Sequence, residues 1–314
     1  MMVKDVKIIE AAYELGAGTR GAQLGPSALS REISQIQSGV LLSAQKETLS
    51  QPITENPTSK NGTPFAHNIQ FIQQSINHVA ASVERALCEK RFPLVFSGDH
   101  SNAIGTVTGI ADSFPDKKIG VIWVDAHLDL HSPYTTPSGN MHGMAVNALL
   151  SDNHLANRKN ELNPETTSLW NKIKKSGRLE IHPKIAPENI VFIGTRDYEE
   201  EEWELVQHLK IKVFTPDDIR RQGMPRVLDE TLKILGHCDL LYTSFDVDSL
   251  DPAISTGTGT PAPDGLSYQD AEQVFKSLIN HPKTTVFEIT EINPLLDNDH
   301  SMPRTIAQLL ASAW

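Results

Sequence analysis

Seven short apolar or β-branched runs punctuate the chain: VKIIEAAY, PLVFSG, IGVIWVD, NIVFIGT, IKVFT, LLYTSFD and TTVFEIT. Between them apolar residues recur at helical spacing, over Asn68 to Glu89, Glu200 to Leu209, Arg226 to Leu235 and Tyr268 to Ile279. The chain closes on a helix-like TIAQLLASA. Alternation of this kind predicts βαβ units, hence an α/β protein whose largely parallel sheet is covered by helices on both faces. Two polar segments, residues 37–67 and 151–186, interrupt the rhythm and read as surface excursions from a single domain spanning residues 1–314. No internal repeat is visible.

Composition changes this picture little but narrows the partners. With 314 residues, 39% apolar and 21% charged, the chain has the makeup of a globular protein with a sizeable core. Its formal charge is −11 and no basic stripe interrupts it, which argues against nucleic acid and membrane surfaces and is compatible with a cationic small molecule. Two cysteines, Cys88 and Cys238, offer neither a disulfide framework nor a thiolate metal site. The first residues lack a signal-peptide core, and no apolar stretch approaches the about 20 residues that span a bilayer. The expected location is the cytoplasm.

Candidate chemistry sits where the strands end. IGVIWV discharges into Asp125, His127 and Asp129, LLYTSF into Asp246 and Asp248, and PLVFSG into Asp99 and His100. Residues two apart on an extended chain share a side, so each group would converge if the chain stayed extended past its strand. In an open parallel sheet the crevice beyond the carboxyl ends is where ligands bind. Four carboxylates gathered there would raise one another's pKa unless cations entered. Two divalent ions would balance them, and four oxygens with two imidazoles and no thiolate favour Mn²⁺ or a similar ion over structural zinc. Such a pair lowers the pKa of a water held between them to near neutrality, as a hydrolase requires. Metallophosphoesterases also carry Asp-x-His, but there it precedes Gly-Asp and Gly-Asn-His elements, an order not found here.

SGDHSNAIG, WVDAHLD, TTPSGNMHGMAV, SFDVDSLDP, TGTGTP and EINP, in this order and spacing, resemble the signature elements of the ureohydrolase family, and most those of its arginase branch. The likeness runs from GAGTRGAQLGPSAL to Pro294. It implies a three-layer α/β/α fold with a parallel sheet of about eight strands, and hydrolysis of a guanidinium group to urea by a dinuclear manganese centre. By the resemblance, His100, Asp125, Asp129 and Asp246 would hold one Mn²⁺, and Asp125, His127, Asp246 and Asp248 the other. Asp129 would take the proton of the attacking oxygen, His142 would shuttle a proton to the leaving amine, and Glu291 would pair with the guanidinium; the lesser alternative is that Glu291 closes a strand end. Thr260 matches a threonine near the active-site floor.

The far end of the substrate is where the pattern departs from the family. Ser138 and Asn140 stand where arginases meet a carboxylate, but His131 replaces an asparagine. Glu199 takes the position of an acid facing an amine, and Glu202 matches a further family acid; the acidic run 199–202 reads equally as a solvated helix start. The first expectation is L-arginine to L-ornithine and urea. Alternatives are another guanidino compound such as agmatine or 4-guanidinobutyrate, a formimino-group hydrolase, and a non-catalytic metal-binding protein. Family members assemble as homo-oligomers, so a trimer or hexamer is expected, although the chain ends about twenty residues after EINP.

Overall fold

The computed structural model describes residues 4–36, 38–50, 63–297, 299 and 301–314. Eight strands form one sheet: β1 (Val6–Ala12), β2 (Gln45–Ser50), β3 (Phe92–Ser97), β4 (Ile119–Val124), β5 (Ile190–Ile193), β6 (Lys212–Phe214), β7 (Leu240–Asp246) and β8 (Thr284–Thr290). Every pairing is parallel, in the order β2-β1-β3-β8-β7-β4-β5-β6. β3 and β4 are buried at each position, which is why their sequences are continuously apolar rather than alternating.

Successive side chains of a strand face opposite ways, and two cores result. Ile122 and Val124 join Phe245, Phe275 and Phe287 on one face, under helices Tyr268–Ile279 and Ser301–Ser312. Val121 and Trp123 join Ile76, Val79, Ile104 and Val107 on the other, under helices Ile69–Cys88 and Ala103–Ser113. The layers are therefore helix, sheet, helix.

Several elements lie outside the pattern-based expectation, among them three whose composition shows why. β2 lies inside the first polar segment, whose residues 37 and 51–62 are outside the described ones. QKETLS lacks an apolar face because it is an edge strand, joined to β1 by the backbone ladder and by an ion pair of Lys7 with Glu47 at 2.8 Å. The second polar segment contains a helix, Pro164–Lys174, started by Asn163 accepting from the Thr166 N–H and burying Trp170 and Ile173. Helix Ala103–Ser113 carries no polar stripe because all but its last residue is buried, so it has no helical period to detect. It lies close against helix Ile69–Cys88 through Gly105 and Gly109, where a Cβ would stand 2.6 Å from the Ile76 and Ala80 carbonyl oxygens.

The arrangement places β3, β8, β7 and β4 side by side at the middle of the sheet. The residues at and just beyond their carboxyl ends meet in one place, His100 lying against Asp125, Asp246 and Glu291.

Candidate metal centre and active site

Asp125 and Asp246 leave the sheet beside each other, since Val124 and Phe245 are register partners. Neither chain stays extended beyond that point. Asp125 Oδ1 accepts the His127 N–H at 2.8 Å, and Asp246 Oδ1 accepts the Asp248 N–H at 2.8 Å. Each carboxylate thus folds its own following residues into a turn. Asp248 sits in the short 3-10 turn Val247–Ser249, and Asp129 adopts a left-handed φ of 52°. Convergence therefore comes from two Asx turns and one left-handed residue rather than from the extended spacing expected. From β3, Asp99 caps the turn His100–Asn102 by accepting from the Ser101 N–H, and also accepts the Gly16 N–H, which leaves it with a structural task while His100 enters the crevice.

His100 Nδ1 faces Asp125 Oδ2 at 3.0 Å, Asp129 Oδ2 at 3.1 Å and Asp246 Oδ2 at 3.2 Å. Neither this nitrogen nor Asp129 Oδ2 makes a hydrogen bond, although both are buried. A ring nitrogen ringed by three carboxylate oxygens, beside an oxygen without a donor, is a set that a divalent cation would satisfy. Next to it, His127 Nδ1 lies 3.4 Å from Asp125 Oδ1 and 3.1 Å from Asp248 Oδ2. His100, Asp125 and Asp246 form one group able to hold a metal, and Asp125, His127 and Asp248 a second, with Asp125 common to both. The residues present fit a dinuclear centre.

Without cations the cluster is electrostatically frustrated. Burial, reinforced by neighbouring carboxylates, pushes Asp129, Asp246 and Asp248 upward. Burial acts on Asp125 as well, but His100 and His127 on either side outweigh it and hold that carboxyl low. The two imidazoles are raised in turn: burial opposes their charge, and the surrounding carboxylates overcome it.

Glu291 follows β8 with a left-handed φ of 65°. Its N–H donates to the Gly98 carbonyl at 3.0 Å, and its Oε1 accepts both the His100 N–H and His142 Nδ1, each at 2.9 Å. Glu291 thus closes the strand end while its side chain joins His100 to His142. Burial lowers His142, but Glu291 reverses this and lifts it to about 9. His142 itself is held by its N–H donating to the Gly16 carbonyl at 3.1 Å, which ties the first loop of the chain to the crevice.

The expected substrate contacts are dispersed. Ser138 is exposed and Asn140 half-buried, with Ser138 Oγ accepting the Asn140 N–H at 3.2 Å. Thr260 donates its hydroxyl to Asp248 Oδ2 at 3.0 Å, so it steadies a carboxylate of the cluster. Glu202 is buried, one oxygen accepting the Leu130 N–H at 2.9 Å and the other the Glu199 N–H at 3.2 Å; burial lifts it to about 7. Its oxygens hold the start of helix Glu200–Leu209 to the loop that follows Asp129. His131 is likewise buried. Glu199 starts the helix, and its hydrogen bond from His131 holds it down at about 2.

Three supporting residues were missed by the sequence reading. Trp123 donates Nε1–H to Asp125 Oδ2 at 3.0 Å and stacks on His100 at 4.0 Å between ring centroids. Ser244 lies 2.7 Å from His100 Nε2 and fixes the ring from behind. Arg196 donates to the carbonyls of Gly194, Asp248, Ser249, Leu250, Ala262 and Pro263, binding the Asp248 turn to the residues that follow TGTGTP. The TRD triplet carried the only hint, a charged residue directly after an apolar strand.

Known proteins share this architecture. The family model described as Arginase family matches residues 4–314. The arginase of Bacillus subtilis (strain 168) is 35% identical over 312 residues, covering 99% of this chain and 98% of the relative. Among solved structures, native Bacillus caldovelox arginase at pH 5.6 superposes with a TM-score of 0.83 at 33% identity, covering 99% of this chain and 98% of its own. Entamoeba histolytica arginase in complex with L-ornithine gives 0.83 at 25% identity, covering 100% and 99%.

Proposed function

Because the chain belongs to the arginase family, whose members hydrolyse carbon–nitrogen bonds, we propose that it converts L-arginine to L-ornithine and urea with two Mn²⁺ ions per subunit. The observation that carries this reading is His100 Nδ1 and Asp129 Oδ2, buried without hydrogen bonds among three convergent carboxylates. His100, Asp125, Asp129 and Asp246 would hold one ion, and Asp125, His127, Asp246 and Asp248 the other. Bound there, the ions would supply positive charge to offset the carboxylates and would make a water acidic enough to serve as nucleophile near neutral pH.

The chain's own groups do the rest. Asp129, whose Oδ2 lacks a donor, accepts the proton released when the water oxygen bonds to the guanidinium carbon. His142, protonated at neutral pH, has Nδ1 committed to Glu291, so Nε2 delivers the proton to the departing amine nitrogen. Glu291 uses Oε1 for His100 and His142, which leaves Oε2 to accept from the planar guanidinium fork. Ser138 and Asn140 offer polar contacts for a carboxylate, and the L-ornithine complex of the Entamoeba relative supports an amino-acid product.

A second reading keeps the chemistry and changes the substrate to agmatine or 4-guanidinobutyrate. His131, which stands in place of a carboxylate-binding asparagine and has both ring nitrogens engaged within the protein, favours agmatine, which has no carboxylate, over 4-guanidinobutyrate within this reading. Urea release by the Mn²⁺-loaded protein, with the three compounds assayed side by side, separates these. Turnover of arginine supports the first reading, turnover of another compound alone supports the second, and urea from none removes both.

We further expect a cytoplasmic homo-oligomer, trimer or hexamer, measurable by sedimentation. Cys88 and Cys238 are free, as suits a reducing compartment, and no helix of the described residues is long and apolar enough to cross a membrane.

A further inference from the structure

Glu288 lies inside the sheet, on β8, with its side chain fully buried. Its register partners are Val95 on β3 and Ser244 on β7, and Trp123 of β4 continues the row beyond Ser244. An apolar side chain would fill this place without the cost of burying a carboxyl group. Burial accordingly pushes Glu288 up, opposed by the hydroxyls of Ser97 and Tyr242. No step of the proposed reaction uses it.

Its hydrogen bonds lead to the metal centre. Ser97 Oγ donates to Glu288 Oε1, and Tyr242 Oη donates to Oε2 at 2.8 Å, so the carboxyl accepts at both oxygens. Tyr242 has then given its hydrogen away and can only accept from its other neighbours. Ser244, two positions later on the same face of β7, donates to it. The Ser244 oxygen is thereby left to accept, and His100 Nε2 lies 2.7 Å from it. An imidazole that gives Nδ1 to a metal carries its proton on Nε2. The donors His100, Ser244 and Tyr242 thus point one way and end on Glu288. All of these side chains are buried, so the direction is set within the protein. Without the acceptor, Tyr242 could donate to Ser244 and Ser244 to Nε2, which would place the ring proton on Nδ1, against the ion.

We propose that Glu288 and Tyr242 are positioning residues for the metal centre: they keep the Ser244 oxygen turned to His100 Nε2–H, so that Nδ1 meets its ion as a lone pair. The inference rests on the dinuclear metal reading and is independent of which guanidino compound is the substrate.

The test is a calorimetric titration of metal-free protein with Mn²⁺, with melting of the metal-free variants in parallel. S244A, which removes the acceptor at Nε2, marks the binding step of the ion held by His100. Y242F and E288M should weaken that same step by about tenfold, the scale for loss of an outer partner of a metal-bound histidine, and leave the other step within about twofold. S244A/Y242F should bind no more weakly than S244A, since Tyr242 acts through Ser244. E288Q, whose amide oxygen still accepts from Tyr242 while its NH₂ turns to Ser97, should recover most of the loss seen in E288M.

Unchanged affinities in Y242F and E288M would overturn the proposal. Equal weakening of both steps together with a lower melting temperature, the mark of a merely structural core group, would overturn it too, as would a further loss when Y242F is added to S244A or an E288Q as weak as E288M. If E288M does not fold, Y242F decides alone by the same selectivity. Wild type that binds no Mn²⁺ would remove the metal reading and this inference with it, whereas wild type that binds two ions, beside variants that do the same with equal affinity, would remove this inference only.

Discussion

Asp129 and Glu291 stand in a left-handed conformation that costs a residue with a Cβ roughly 1–2 kcal/mol. Both are carboxylates of the crevice, where the surrounding hydrogen bonds over-determine the backbone: Val146 N–H donates to the Asp129 carbonyl at 3.1 Å, and the Glu291 N–H to Gly98. His142 gives a pH signature. Its folded value of about 9 exceeds the ordinary 6.5, so its pairing with Glu291 contributes stability fully below pH 6.5 and loses it as pH rises through 9. In metal-free protein, melting of wild type against H142N from about pH 6 to about pH 10 should show a gap on the order of 3 kcal/mol at the acid end that closes at the alkaline end; a gap independent of pH contradicts the assignment. Trp123→Phe keeps a ring over His100 but removes the donor to Asp125, and should weaken Mn²⁺ binding about tenfold by calorimetry. The six metal-ligand candidates were legible because polar residues ending an apolar strand need compensation. Trp123, Ser244 and Arg196 were not: a tryptophan inside an apolar strand reads as core, a serine as filler, and donation to backbone carbonyls leaves no partner residue in the sequence to pair with.

At the level of elements, the glycine contact between helices Ile69–Cys88 and Ala103–Ser113 fixes the turn that carries His100, because the second helix begins directly after Asn102. Gly105→Ala would drive a methyl to 2.6 Å from the Ile76 carbonyl, where backbone cannot yield cheaply. The expected cost is about 1–3 kcal/mol in urea unfolding, with weakened Mn²⁺ binding as His100 shifts; an unchanged midpoint contradicts this coupling. Seven strands were readable as short apolar or β-branched runs, and five helices from the helical spacing of their apolar residues. Helix Ala103–Ser113 has no polar face and β2 no apolar one, so the same rule could not find them. The eighth strand followed only from the family resemblance.

On the scale of the whole molecule, the central carboxyl ends of the sheet carry buried charge that no group among the described residues neutralises fully. Folding should therefore be coupled to metal: chelation should lower the melting temperature, and Mn²⁺ should restore it in proportion to ln[Mn²⁺] once sites saturate. A melting temperature indifferent to chelator and Mn²⁺ would leave the frustrated cluster without its compensation. The measurement that tests the central claim most directly is the number of Mn²⁺ ions bound per chain after saturation and removal of free metal, in wild type and in Asp246→Asn. Two ions in wild type and a loss in the variant are the predicted result, since Asp246 would serve both positions. No bound ion in a wild type that still releases urea, or two ions retained by the variant, would contradict it.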